Sequence, residues 1–110
     1  MSYIVRLAND LITDLEGLKT YLITQFSEDV SNEGMNQLFD TFESLSTFPK
    51  KGKDATNLMF TFNGYRYLPL EKNVLFYSID EAKKEVLLLR LFSVNEDFMQ
   101  KFSFFINEND

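Results

Sequence analysis

Cysteine and histidine are both missing from this chain, tryptophan is absent, and proline and glycine are scarce, at two and four residues in 110. Without cysteine there is no disulfide, no thiolate nucleophile and no cysteine-built zinc site, which fits a reducing compartment such as the cytoplasm. Without histidine the chain loses the usual general base near neutral pH, the Ser-His and Cys-His nucleophile pairs and the commonest transition-metal ligand. Any catalysis must use Lys, Arg, Tyr or carboxylates. No run of eighteen apolar residues occurs, and the start, MSYIVRLAND, lacks a basic stretch followed by an apolar core, so neither a membrane span nor a secretory leader is expected.

What the chain has is a core-forming composition. Twelve Phe and five Tyr stand within an apolar content of 45%, enough for one packed domain over residues 1–110 and too short a chain for two. The formal charge of −6 is uneven. Residues 1–46 carry eight acids against Arg6 and Lys19, whereas residues 50–72 carry Lys50, Lys51, Lys53, Arg66 and Lys72 against Asp54 and Glu71. General nucleic-acid binding needs broad positive potential, which an acidic half with one basic island does not provide.

Residues 2–7 alternate Tyr3, Val5 and Leu7 with Ser2, Ile4 and Arg6, the period of a strand. From Ala8 the period changes, and Leu11, Leu15, Leu18 and Leu22 predict a helix over about 8–26. Ser27 caps a second helix over about 28–46, with Met35, Leu38, Phe39, Phe42 and Leu45 at helical spacing. Joined so closely, the two must fold back as an antiparallel hairpin that buries its stripes against a flat surface. FPKKGKDATN (48–57) reads as a loop. LMFTF, YRYLPL, NVLFYSID and KEVLLLRLF then read as consecutive antiparallel strands, with 58–62 a loop as the alternative and Pro69 at an edge or strand end. Ser93 or Asn95 caps a short final helix with Phe98, Met99, Phe102 and Phe105 along one stripe. The expected fold is α+β, in the order β-α-α-β-β-β-α. It has an antiparallel sheet of about four strands, a helical hairpin on one face and a short C-terminal helix.

Several of these segments, taken together and in order, resemble the RelE/ParE superfamily of bacterial type II toxins over residues 3 to about 98. The carriers are the strand entering a helix with a DL pair, the FP-x-x-G loop after the second helix, and YR-x-L leading to an FY strand. The resemblance implies a growth-inhibiting, plasmid-stabilising toxin of the cytoplasm, neutralised by a cognate antitoxin. In the ribonuclease branch, basic residues on the sheet and a Tyr or His near the C-terminal end cut messenger RNA on the ribosome. Pre-placed cations there stabilise charge building on the phosphate. Arg66 matches the basic position of YR-x-L, and Lys50, Lys51 and Lys53 lie in a loop that is basic in other members. The position for Arg two residues before the FY pair is Val74, the His or Arg expected past the last strand is replaced by Ser93, Val94 and Asn95, and the downstream Tyr is Phe98. These departures favour a binder of a target such as DNA gyrase. An endoribonuclease acting on ribosome-bound messenger RNA and a degenerate toxin kept as an interaction module are the alternatives.

The candidate catalytic residues are Arg66, Arg90 and Tyr77, and each has a plainer reading. Arg66 could sit between Tyr65 and Tyr67 or pair with Glu71, Arg90 could lie on the outer face of its strand, and Tyr77 could pack half-buried. Lys50, Lys51 and Lys53 either contact target or RNA or merely solubilise a loop. Phe105 is the candidate antitoxin contact, with Phe98 and Phe102 in the core. Asp10, Asp14 and Glu16 suit a helix dipole and solvent better than a metal. We therefore expect no metal and no cofactor.

Overall fold

The computed structural model describes residues 2–108; Met1, Asn109 and Asp110 of the expected domain lie outside the described residues. Strand β1 (Ile4–Leu7) runs into helix α1 (Asn9–Gln25), which is followed by α2 (Glu28–Thr47), and the Ser27 hydroxyl accepts from Val30 N as an N-cap. Strands β2 (Lys53–Asp54), β3 (Arg66–Pro69), β4 (Asn73–Asp80) and β5 (Glu85–Ser93) precede helix α3 (Phe98–Glu108). The segment 58–62 is a loop with a single 3-10 turn at Phe60–Phe62.

The sheet has five strands in the order β1-β5-β4-β3-β2, one more than expected. It is mixed, which corrects the all-antiparallel expectation: β1 lies parallel to β5, with Ile4 opposite Glu85 and Leu7 opposite Leu88. The two helices carry the chain away from β1, and its partner is the last strand of the chain, so no local turn announces the pairing. The added strand, β2, is two charged residues on the outer edge of β3, a device that blunts an open edge. Pro69 ends β3 beyond the reach of β2, where its missing N–H costs nothing.

Each face of the sheet has its own core. Leu11 and Leu15 of α1 and Phe42 and Leu45 of α2 pack on Leu68, Leu75, Tyr77, Val86, Leu88 and Leu91. On the opposite face, Phe102 and Ile106 of α3 pack with Phe62, Val74, Phe76, Leu89 and Phe92. The run VLLLRLF serves both cores by strand alternation, and a bulge in β5 shifts that alternation by one residue: Tyr77 pairs with Leu88 and Phe76 with Arg90, leaving Leu89 as the extra residue. The bulge lets Leu88 and Leu91 face the hairpin while Leu89 and Phe92 face α3. Neither expected cap starts α3. Asp97 does, its carboxylate accepting from Gln100 N, while Ser93 and Glu96 bond each other's neighbourhood in the turn before it. Among the described residues no helix is long and apolar enough to cross a membrane.

Candidate functional site

Three of the sequence elements singled out above converge on one turn. After α2 the chain passes through Pro49–Lys51 and Gly52, and this turn is held from beneath by side chains of β3 and β4. The Tyr77 hydroxyl donates to Pro49 O at 2.8 Å and accepts from Gly52 N at 2.9 Å. Arg66 Nη2 donates to Gly52 O at 2.7 Å and to Lys50 O at 3.3 Å. Arg66 and Tyr77 are direct cross-strand partners, so they present their polar ends side by side. Only glycine fits at position 52: a Cβ there would meet Tyr67 O at 2.5 Å and the Tyr77 hydroxyl at 2.7 Å. The FP-x-x-G loop, the YR strand and the FY strand thus form one hydrogen-bonded knot.

This geometry replaces the simple readings of Arg66. It is half-buried, stacks on neither Tyr65 nor Tyr67, which face the aromatic core, and forms no ion pair with Glu71. Its Nε is buried and has no hydrogen-bond partner among the described residues. Tyr77 is fully buried rather than half-buried, with its hydroxyl engaged in both directions. The turn carries Lys50, Lys51 and Lys53 outward, all exposed, and Lys51 Nζ reaches Ser44 Oγ of α2 at 3.2 Å. Nearby Asp54, opposite Arg66 on β2, is held below the usual carboxylate range by hydrogen bonds from the Thr56 hydroxyl and backbone N–H.

Arg90 does not join this cluster. It sits at the bulge, opposite Phe76 and so on the α3 side, and its guanidinium is clasped by Asp14 of α1: Nε to Oδ2 at 2.8 Å and Nη2 to Oδ1 at 2.9 Å. The same Oδ2 accepts from Leu91 N at 3.0 Å. Strand β1 ends at Leu7, so the outer edge of β5 beyond Leu88 would be bare, and Asp14 covers it. The hydrogen bond to Asp14 raises the guanidinium further above its ordinary value, against the opposing effect of burial. On its other side Arg90 lies over the rings of Phe92, 4.7 Å away, and Phe105, 5.2 Å away. Asp14 is therefore no dipole-and-solvent residue, and sequence reasoning missed it because its partner lies 76 positions away.

Two of the positions at which the resemblance expects further catalytic groups, Val74 and Phe98, belong to the aromatic core, whereas Val94 and Asn95 are exposed. Val74 is 2% exposed, and the Phe98 ring lies 6.3 Å from that of Phe76. Phe105 is half-buried, its ring 5.9 Å from Phe102. Phe104, off the apolar stripe read from the sequence, is the exposed ring of α3, at 64%.

A helical hairpin laid on one face of such a sheet, with a short closing helix on the other, defines an architecture shared with solved structures. A chain of the chromosomal ParDE toxin–antitoxin system of P. aeruginosa superposes with a TM-score of 0.70 at 13% identity, covering 86% of this chain and 98% of that one. A chain of the RelBE2 toxin–antitoxin complex of Mycobacterium tuberculosis superposes with a TM-score of 0.58 at 23% identity, covering 84% of this chain and 99% of that one. No curated protein matches by sequence. The family model of the ParE toxin of type II toxin–antitoxin systems matches residues 5–98, and the chain belongs to that family.

Proposed function

We propose that this ParE-family chain arrests growth by binding a macromolecular target, DNA gyrase being the leading candidate, and that a cognate antitoxin neutralises it. One observation carries the preference for binding over RNA cleavage. Val74 and Phe98, at positions where the ribonuclease branch is expected to place a cation and a phenol, are packed into the aromatic core. A 2′-OH attack on phosphorus needs a cation at the developing charge and a group that moves the proton. The surviving candidates are already engaged: Arg66 by the turn carbonyls, Arg90 by Asp14, and the Tyr77 hydroxyl by Pro49 and Gly52.

The alternative, ribosome-dependent cleavage of messenger RNA, draws on Lys50, Lys51 and Lys53, displayed together beside Arg66. On that reading the knot orients cations toward a phosphate. The experiment is induced expression of the chain alone, with growth, transcript ends and plasmid supercoiling sampled from one culture. Arrest with altered supercoiling and uncut transcripts is expected. Codon-positioned cuts that vanish in Arg66→Ala would overturn the binding reading, and absence of any growth defect would leave an interaction module.

A further inference from the structure

The outer face of the helical hairpin combines apolar exposure with charge of one sign. Along α1, Ile12, Glu16, Lys19 and Ile23 recur at spacings of four, three and four, one stripe of a helix. That stripe runs beside the line where the helices touch, because Lys19 O accepts from Ser31 Oγ of α2 and Leu22 lies against Gly34. Across that line, α2 presents Val30, Gly34, Gln37 and Thr41 at the same spacing, and Gly34, having no side chain, lowers the ridge. Ile12, Ile23 and Val30 are 43%, 42% and 43% exposed. The hairpin carries seven exposed acids against a single exposed base, Lys19, and of these Glu16 stands in the α1 stripe while Glu33 and Asp40 flank the α2 stripe. The eighth acid, Asp14, is spent on Arg90.

We infer that the hairpin furrow is a docking surface for a cationic amphipathic helix of the partner antitoxin, whose apolar residues cover Ile12, Ile23 and Val30 while its lysines and arginines meet the acids on either rim. Complementary charge fixes the sign: an acidic segment laid here would meet Glu16, Glu33 and Asp40 with Lys19 as the one base, on a hairpin whose exposed charge is predominantly negative. The geometry fixes the form, because a furrow between two antiparallel helices accepts a third helix through anchors at i, i+3 or i+4, and i+7. A helix matching the 17 residues of α1 would span roughly 25 Å. The inference rests on the antitoxin reading and adds the place and the charge.

The test uses the whole chain with the purified product of the reading frame adjacent to its gene. Affinity is measured by calorimetry across about 50 to 500 mM salt, where screening separates charge from apolar contact. Affinity should fall steeply with salt. Ile12→Ser with Ile23→Ser should weaken binding about tenfold or more, and Glu33→Lys with Asp40→Lys should weaken it at low salt and flatten the salt slope. All four positions are exposed on helices, and unchanged circular dichroism and melting confirm the fold of each variant. Amide exchange should slow over 12–23 and 30–41 in the complex. Tight binding with no salt slope, or lysine variants that bind more tightly, would overturn the cationic helix while leaving the antitoxin reading intact. Dimerisation of the isolated chain through this face would overturn it also. No binding at all would overturn both.

Discussion

The two faces of the sheet are built by different means. The hairpin face is closed by 37 helical residues, 17 in α1 and 20 in α2, over a core that is mainly leucine. The opposite face is closed by the 11 residues of α3 together with the loop that carries Ala55 and Phe62, and its largest buried side chains are phenylalanines. A short helix has few residues with which to bury area, so each must bury more, and an aromatic ring does this with little rotamer entropy. Phe102 concentrates the result: its ring stacks on Phe76 with centroids 4.0 Å apart and planes 11° from parallel, and meets Phe62 and Tyr65 edge-on at 5.1 and 5.2 Å. The hairpin core is distributed over many contacts, whereas the α3 core hangs on one ring.

That contrast is broken most directly by removing one large side chain from each side. Phe102→Ala and Leu45→Ala, both at fully buried positions, should each cost about 3–5 kcal/mol. The difference lies in what lets go. In Phe102→Ala, amide exchange should accelerate throughout α3 while β4 and β5 stay protected, as expected of a locally unfolding unit. In Leu45→Ala the whole sheet and hairpin should lose protection together. If both variants open cooperatively, the two faces form one unit and the comparison fails.

Asp14 tests the link between the faces, since Arg90 joins α1 on one side to the Phe105 ring on the other. Asp14→Ala leaves a partly buried guanidinium and the Leu91 N–H without partners, a loss of about 2–3 kcal/mol by denaturant titration. It should also loosen α3, to which Arg90 connects Asp14 through the Phe105 ring. An effect confined to α1 would mean that Arg90 stabilises each side independently.

Tyr77→Phe comes next. It removes one phenolic oxygen and orphans the buried Gly52 N–H, at a cost of about 1–3 kcal/mol. Under the proposed function, growth arrest should then fall only in step with stability. A variant of native stability that no longer stops growth would return Tyr77 to the chemistry of the site.

How much of this was readable in the sequence depended on the range of the interaction. The hairpin was legible because its leucines repeat with the helical period and Ser27 caps locally. So was the strand meander, whose turns are short. Strand β2 was not, being two polar residues with no alternation, and neither was the parallel pairing of β1 with β5, which joins the two ends of the fold. The bulge in VLLLRLF was hidden because apolar residues face both cores, so no period could mark the residue at which the strand slips. At the candidate site the resemblance found Arg66, Tyr77 and Gly52, but a motif says which residues recur and not what they touch. Here their hydrogen bonds hold a turn in place.

The smallest effect concerns pH and the junction between β5 and α3. Glu96 accepts from Ser93 N and pairs with Lys101. Burial works against its charge, but the hydrogen bonds from Lys101 and Ser93 outweigh it, so its carboxyl sits below the usual range. A carboxyl lowered on folding stabilises the fold above its unfolded value, near about 4.3, and that stability is lost as pH falls through the lower folded value. The pair is partly exposed, so Glu96→Gln should cost no more than about 1 kcal/mol at neutral pH. The difference between variant and parent should vanish in acid. Because Glu96 fixes only the approach to α3, the loss should appear in α3 amide exchange and leave the hairpin unchanged; equal loss on both faces would show that the junction, and not Phe102, governs how the small face is held.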